Sequence, residues 1–81
     1  MTARVHIPED LGGLLRSDWE RVTEEACFDE IDAGIVRQYI LRQLPQVDAA
    51  AELCIDRKTI SRRLPSILVR ARRTARKLHM L

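Results

Sequence analysis

Apolar residues recur along this chain at helical spacing and almost nowhere at the alternation of a strand. Trp19, Val22 and Ala26 fall three and four apart, and Asp18 and Glu20 suit the positive end of a helix. Ser17 is placed to cap it, so the pattern predicts a first helix over about Asp18 to Cys27 with Trp19 in the core. A second stripe, Ile31, Ile35, Val36, Tyr39, Ile40 and Leu44, runs up to Pro45 behind an Asp29 and Asp32 pair spaced like a capping arrangement. Its breadth predicts a central helix with Arg37 and Arg42 outside, and Gly34 within it predicts close packing by a neighbour. Proline disfavours helical geometry in the residue before it, so this helix should end at Pro45 and the next begin by Val47 or Asp48.

The third and fourth segments belong together. Ala49, Ala50 and Leu53 line one face of a short helix, Ile55 can plug a turn, and Ile60 and Leu64 can anchor a second helix against the first. The run from Asp48 to Leu64 thus reads as a helix-turn-helix, with Asp56 as the cap of its second helix, accepting from the amide of Lys58 or Thr59. The residue after the first helix of such a unit is usually a left-handed glycine, and Cys54 stands there; a Cβ in that conformation costs roughly 1 kcal/mol. The stripe continues through Ile67, Leu68, Ala71, Ala75 and Leu78. Pro65 interrupts it by removing one donor and crowding the carbonyl of Ser61, so two pieces or a distinct kink are expected.

The fold class expected is therefore all-α: a small bundle of four to five helices containing a helix-turn-helix, with an extended basic C-terminal helix. Residues 1–16 read as an N-terminal arm, with a short turn from Pro8 through Leu11 stopped by Gly12 and Gly13, and 17–81 as the helix-turn-helix domain. Within it, 47–64 is the motif and 65–80 the basic helix. A domain of 81 residues buries only roughly 60 to 65% of the surface its unfolded chain exposes, so stability is expected to be marginal.

Charge changes the picture more than composition does. The net charge of +2 conceals three basic against nine acidic side chains in residues 1–32, and nine basic against none in 57–81. A basic end on a small folded domain points to nucleic acid or to an acidic protein surface. On chemistry, Arg57 or Arg62 could fork onto guanine, with Lys58 and Ser61 as more versatile readers. Arg63, Arg70, Arg72, Arg73, Arg76 and Lys77 are expected at phosphates, which position without reading sequence. Solvated helix faces would carry the same charges without a partner.

The residues that suggest this chemistry also carry a resemblance. Ile35 to Tyr39, Ala49-Ala50-Ala51-Glu52-Leu53 and Asp56-Arg57-Lys58-Thr59-Ile60-Ser61-Arg62-Arg63-Leu64 resemble sigma factor region 4, including the small stand-alone region 4-like proteins of bacteria and their mobile elements. The Ala-Ala-Glu-Leu and Arg-Lys-Thr-Ile segments are also similar to Fis-type DNA-binding domains. The resemblance implies that the second helix of the motif lies in the major groove, read through Arg57, Lys58, Ser61 and Arg62 with Thr59 at the phosphate backbone, while other surfaces can dock on RNA polymerase. The stretch holds no segment for other promoter contacts or for melting DNA, so a complete sigma factor is not expected.

Three functions follow as expectations. A transcriptional regulator would bind double-stranded DNA, with a homodimer formed through the Ile67 to Leu78 stripe or the faces of the first helix. A protein-binding adaptor would engage RNA polymerase or another machine, using the acids Glu20, Glu24, Glu25, Asp29 and Glu30. A small mobile-element inhibitor would borrow the same scaffold. No enzyme, cofactor or metal is expected: His6 and His79 lie near opposite ends, no pair of His or Cys has close ligand spacing, and Gly12-Gly13 is only a turn signal. Without an apolar span or a leader pattern the chain reads as cytoplasmic, with Cys27 and Cys54 as buried free thiols.

Overall fold

The helical periods fold as helices, and the way each one stops explains where the sequence reading needs revision. The computed structural model describes residues 11–81, so the Pro8 turn and His6 lie outside the described residues. Four helices follow in order: α1 (Arg16–Glu25), α2 (Glu30–Ile35) continuing directly into a π-helical stretch (Val36–Leu41), α3 (Gln46–Leu53) and α4 (Arg57–Lys77). The architecture is all-α, with no strand among the described residues.

Helix α1 starts two residues before the expected point, and Ser17 is not its cap. Leu15 occupies that position, and Asp18, three residues on, reaches back to accept from the Leu15 amide at 3.0 Å. The carboxylate thus satisfies the amide of the N-cap residue from inside the helix, whereas a capping serine would have accepted from an amide two or three residues ahead. Leu11, in the segment expected to be an arm, is fully buried, and Leu14 packs beside the core. Asp29 does cap α2, accepting from the Asp32 amide at 2.8 Å.

The four helices share one ending. Cys27, Gln43, Cys54 and His79 each take a left-handed conformation, with φ of 53°, 56°, 56° and 59°. The next residue in each case folds its amide back across the helix end: Phe28 donates to Thr23 O, Leu44 to Gln38 O, Ile55 to Ala50 O and Met80 to Ala75 O, at 2.8 to 3.4 Å. Each of those four residues is apolar, and each packs partly buried against the core. This is the arrangement that satisfies terminal carbonyls while a hydrophobic residue closes the turn. It also corrects the second helix: the turn at Gln43 ends it, whereas Pro45 is the residue that precedes α3.

None of the four left-handed positions holds glycine, so each carries the steric cost of a Cβ. Cys54→Gly is expected to raise stability by up to about 1 kcal/mol, the relieved strain being partly offset by glycine's greater freedom in the unfolded chain. Urea unfolding of the variant checks this; a loss of stability would show that the thiol contributes packing. The left-handed turns also explain a correction: Cys27 and Cys54 are free but exposed, because they occupy the turns and not the helix faces.

Helix α4 is continuous across Pro65, so the expected division into two pieces does not occur. Pro65 and Ser61 are both exposed, which leaves the carbonyl deprived of its donor on the side facing water. The opposite side holds the helix together, since Ile60, Ile67, Ala71 and Ala75 are all fully buried. That burial also removes the Ile67 to Leu78 stripe as a dimer surface. The remaining core comes from Trp19 and Val22 of α1, Ile35, Val36, Tyr39 and Ile40, and Ala49 and Ala50 of α3. Ile31, expected on the stripe, is 37% exposed. Gly34 is packed as its position suggested: a Cβ there would meet Leu53 Cδ2 at 2.7 Å, so the missing side chain is what lets α3 approach α2.

Candidate nucleic-acid interface

The unit formed by α3 and α4 is built from short-range rules. Ala49 and Ala50 let α3 pack closely, Cys54 turns the chain, Ile55 closes the turn, and Asp56 Oδ1 accepts from the Lys58 amide at 2.9 Å to start α4. With its apolar side fixed inward by Ile60, the first two turns of α4 present Arg57, Lys58, Ser61 and Arg62 to solvent, all four exposed. The side chains of Arg57, Lys58 and Arg62 make no hydrogen bond or ion pair with described residues. Thr59 is half-buried.

Ser61 is tied down. Its hydroxyl donates to Gln46 Oε1 at 2.9 Å, linking the start of α3 to the second turn of α4. The Gln46 side-chain nitrogen remains a donor next to Ser61, which adds Gln46 to the candidate surface. Only its place immediately after Pro45, on the first turn of the partner helix, hinted at this in the sequence.

The phosphate-facing set divides. Arg63 departs from it by turning sideways onto α2: its Nη1 donates to Asp32 Oδ1 at 3.0 Å and to Asp29 Oδ2 at 3.1 Å. Arg70, two turns on, does the same. It donates to Ala26 O at 2.7 Å, lies 3.6 Å from Asp32 Oδ2, and stacks over Phe28 with 4.7 Å to the ring centre. Asp32 is buried, and Arg63 and Arg70 together give it its ion pairs. These two arginines therefore clamp the connection between α1 and α2 to the flank of α4.

Arg73, Arg76 and Lys77 stay exposed on the last turns. Arg73 and Lys77 line a shallow cleft of about 250 Å³ with Thr74, Arg70 and the acid Glu25. Arg72 is half-buried and has a partner. Among the acids, Glu20, Glu24, Glu25 and Glu30 are exposed, and Glu20 pairs with Arg16 at 3.7 Å within α1.

No protein-family model, no curated protein and no solved structure matches the chain. The site thus rests on its own geometry. Among the described residues no group of His, Cys, Asp or Glu is placed to hold a metal ion, and no helix is long and apolar enough to cross a membrane.

The acid cluster gives a pH expectation. The amide of Asp32, and after it the guanidinium of Arg63, hold the carboxyl of Asp29 below its ordinary value of 3.8. A folded-state value below the unfolded one contributes stability that is present above the ordinary value and is lost as the pH falls through the folded value. The melting temperature should therefore drop as the pH falls below about 4. Asp29→Asn, which keeps a good capping residue, should flatten that drop in melts taken across the acid range. An unchanged acid limb would show that other carboxylates carry it.

Proposed function

We propose that this protein binds double-stranded DNA and regulates transcription, setting the first two turns of α4 into the major groove. Arg57, Lys58, Ser61 and Arg62 read base edges, and Arg73, Arg76 and Lys77 meet phosphates toward the ends of the contact. The observation that carries this reading is the unequal use of cations along one helix. Arg63 and Arg70 are engaged by acids and a carbonyl, whereas Arg57, Lys58 and Arg62 stand exposed at the start of the second helix of a helix-turn-helix.

Physical fit supports it further. An α-helix with its side chains is about 10–12 Å across, and the major groove is about 12 Å wide. A helix capped by Asp56 and backed by α3 enters with its backbone already ordered, so docking costs only the freedom of the reader side chains. A cytoplasmic location follows from that role.

Selection of bound duplexes from a random pool, followed by titration of the winners and of unrelated fragments at several salt concentrations, tests it. The expected result is a preferred sequence bound well above the background, with affinity falling linearly in log salt. Equal and weak binding to every fragment would remove sequence-specific recognition. A nuclease-treated pull-down that retained RNA polymerase while the selection failed would favour an adaptor instead.

A further inference from the structure

Arg63 sits about 100° around α4 from Arg62, on the flank that faces α2. When a helix fills the major groove, the side chains at its flanks, and not its outermost ones, meet the phosphates on either side. At the level of the readers, Arg63 is the cation on that flank. In the free protein it is not available, because Asp29 and Asp32 hold it at 3.1 and 3.0 Å.

We propose that Arg63 is an exchangeable phosphate contact: it leaves Asp29 for the DNA backbone when α4 docks, and Asp29 sets the threshold for that exchange. This rests on the DNA-binding reading above. Three features make the exchange feasible. The Arg63 and Asp29 side chains are 36% and 59% exposed, so their mutual pair lies in water and is weakly held. Asp32, the buried acid, keeps Arg70 at 3.6 Å when Arg63 departs, so no buried carboxylate is stranded. Asp29 also remains engaged, through the Asp32 amide that it caps. A carboxylate at that flank would otherwise repel the phosphate that the docked helix brings to it.

The simpler role for Arg63 is to neutralise Asp29 without touching DNA, and a double-mutant cycle separates the two. Wild type, Asp29→Asn, Arg63→Ala and the double variant are titrated on the best-bound duplex across a salt series, with Glu24→Gln as a control that removes one exposed negative charge elsewhere on the surface. Asparagine preserves the cap of α2, and melting curves verify folding in every variant.

The exchange predicts that Asp29→Asn binds several-fold tighter than Glu24→Gln. It also predicts that adding Arg63→Ala to Asp29→Asn forfeits the gain and reduces the slope of log affinity against log salt by about 0.9, the share of one phosphate. If the double variant instead matches Asp29→Asn in affinity and slope, Arg63 only neutralises and the proposal is overturned. Should wild type bind no duplex, the DNA-binding reading fails first and takes this inference with it.

Discussion

Ile60→Ala is expected to cost about 2 to 5 kcal/mol, the range for truncating a buried branched side chain. Ile60 is fully buried on the first turn and a half of α4 and belongs to the same core cluster as Ala49 and Ala50 of α3. The surroundings of a fully buried side chain relax only partly when it is truncated, so a cavity remains and its lining loses contacts outright. For a chain of this length total stability is about 4 to 12 kcal/mol, so this one substitution removes at least about a sixth of it and, at the marginal end, all of it. Each kcal/mol corresponds to about 4–8 °C in a domain this small, which makes the change plain in a thermal melt. Ile60→Val, which removes a single methyl, should cost only about 0.5 to 1.5 kcal/mol. An alanine variant within 1 kcal/mol of wild type would contradict the packing of α3 on α4, since it would require a site that collapses freely.

What made this part of the molecule legible is that its determinants are local. Asp56 before a run of helix formers, Ile60 and Leu64 four apart, and Cys54 between two helical periods are all short-range signals, and each sits in the conformation its pattern implied. Errors arose where two local rules competed. Ser17 and Asp18 could both start α1, and the choice turned on whether a carboxylate reaches back from the third helical position, which Asp18 does. Pro45 and Gln43 could both end the second helix. The turn at Gln43 prevailed because Leu44, which follows it, gains a place against the core.

Cys27 and Cys54 were misplaced by their apolar neighbours, since hydropathy does not register that a left-handed turn points the side chain outward. Pro65 failed as a helix breaker because four buried residues on the far side of α4 outweigh one missing donor on the wet side. The clamp of Arg63 and Arg70 on Asp29 and Asp32 was beyond local reading altogether. Its partners are 31 to 44 residues apart, and charge runs alone do not say which arginines of a basic helix turn inward.

That division between inward and outward arginines sharpens the second large effect, which is on recognition. Arg62→Ala should reduce the preference for the selected duplex over a single-base variant by about 1–3 kcal/mol, equivalent to roughly five- to 150-fold, while affinity for unrelated DNA changes much less. Arg57→Ala is expected to act in the same direction. Both side chains are exposed at the start of α4 and are not engaged by described residues, so their removal breaks nothing inside the fold, and melting temperatures should stay close to wild type. Arg62→Lys should restore affinity but not discrimination, because a guanidinium matches the two acceptors of guanine with a planar fork and an ammonium does not.

Arg76→Ala supplies the contrast. An exposed cation four turns beyond Arg62 should weaken all duplexes alike and flatten the salt dependence by about one phosphate, leaving sequence preference intact. If Arg62→Ala behaved like Arg76→Ala, with uniform loss and a shallower slope, Arg62 would be a backbone contact. Reading would then pass to Arg57, Lys58, Ser61 and Gln46, polar groups at that end of α4 and at the start of α3. The Ser61 to Gln46 hydrogen bond would in that case be the feature that fixes register, since Ser61→Ala would free Gln46 and alter preference without changing net charge.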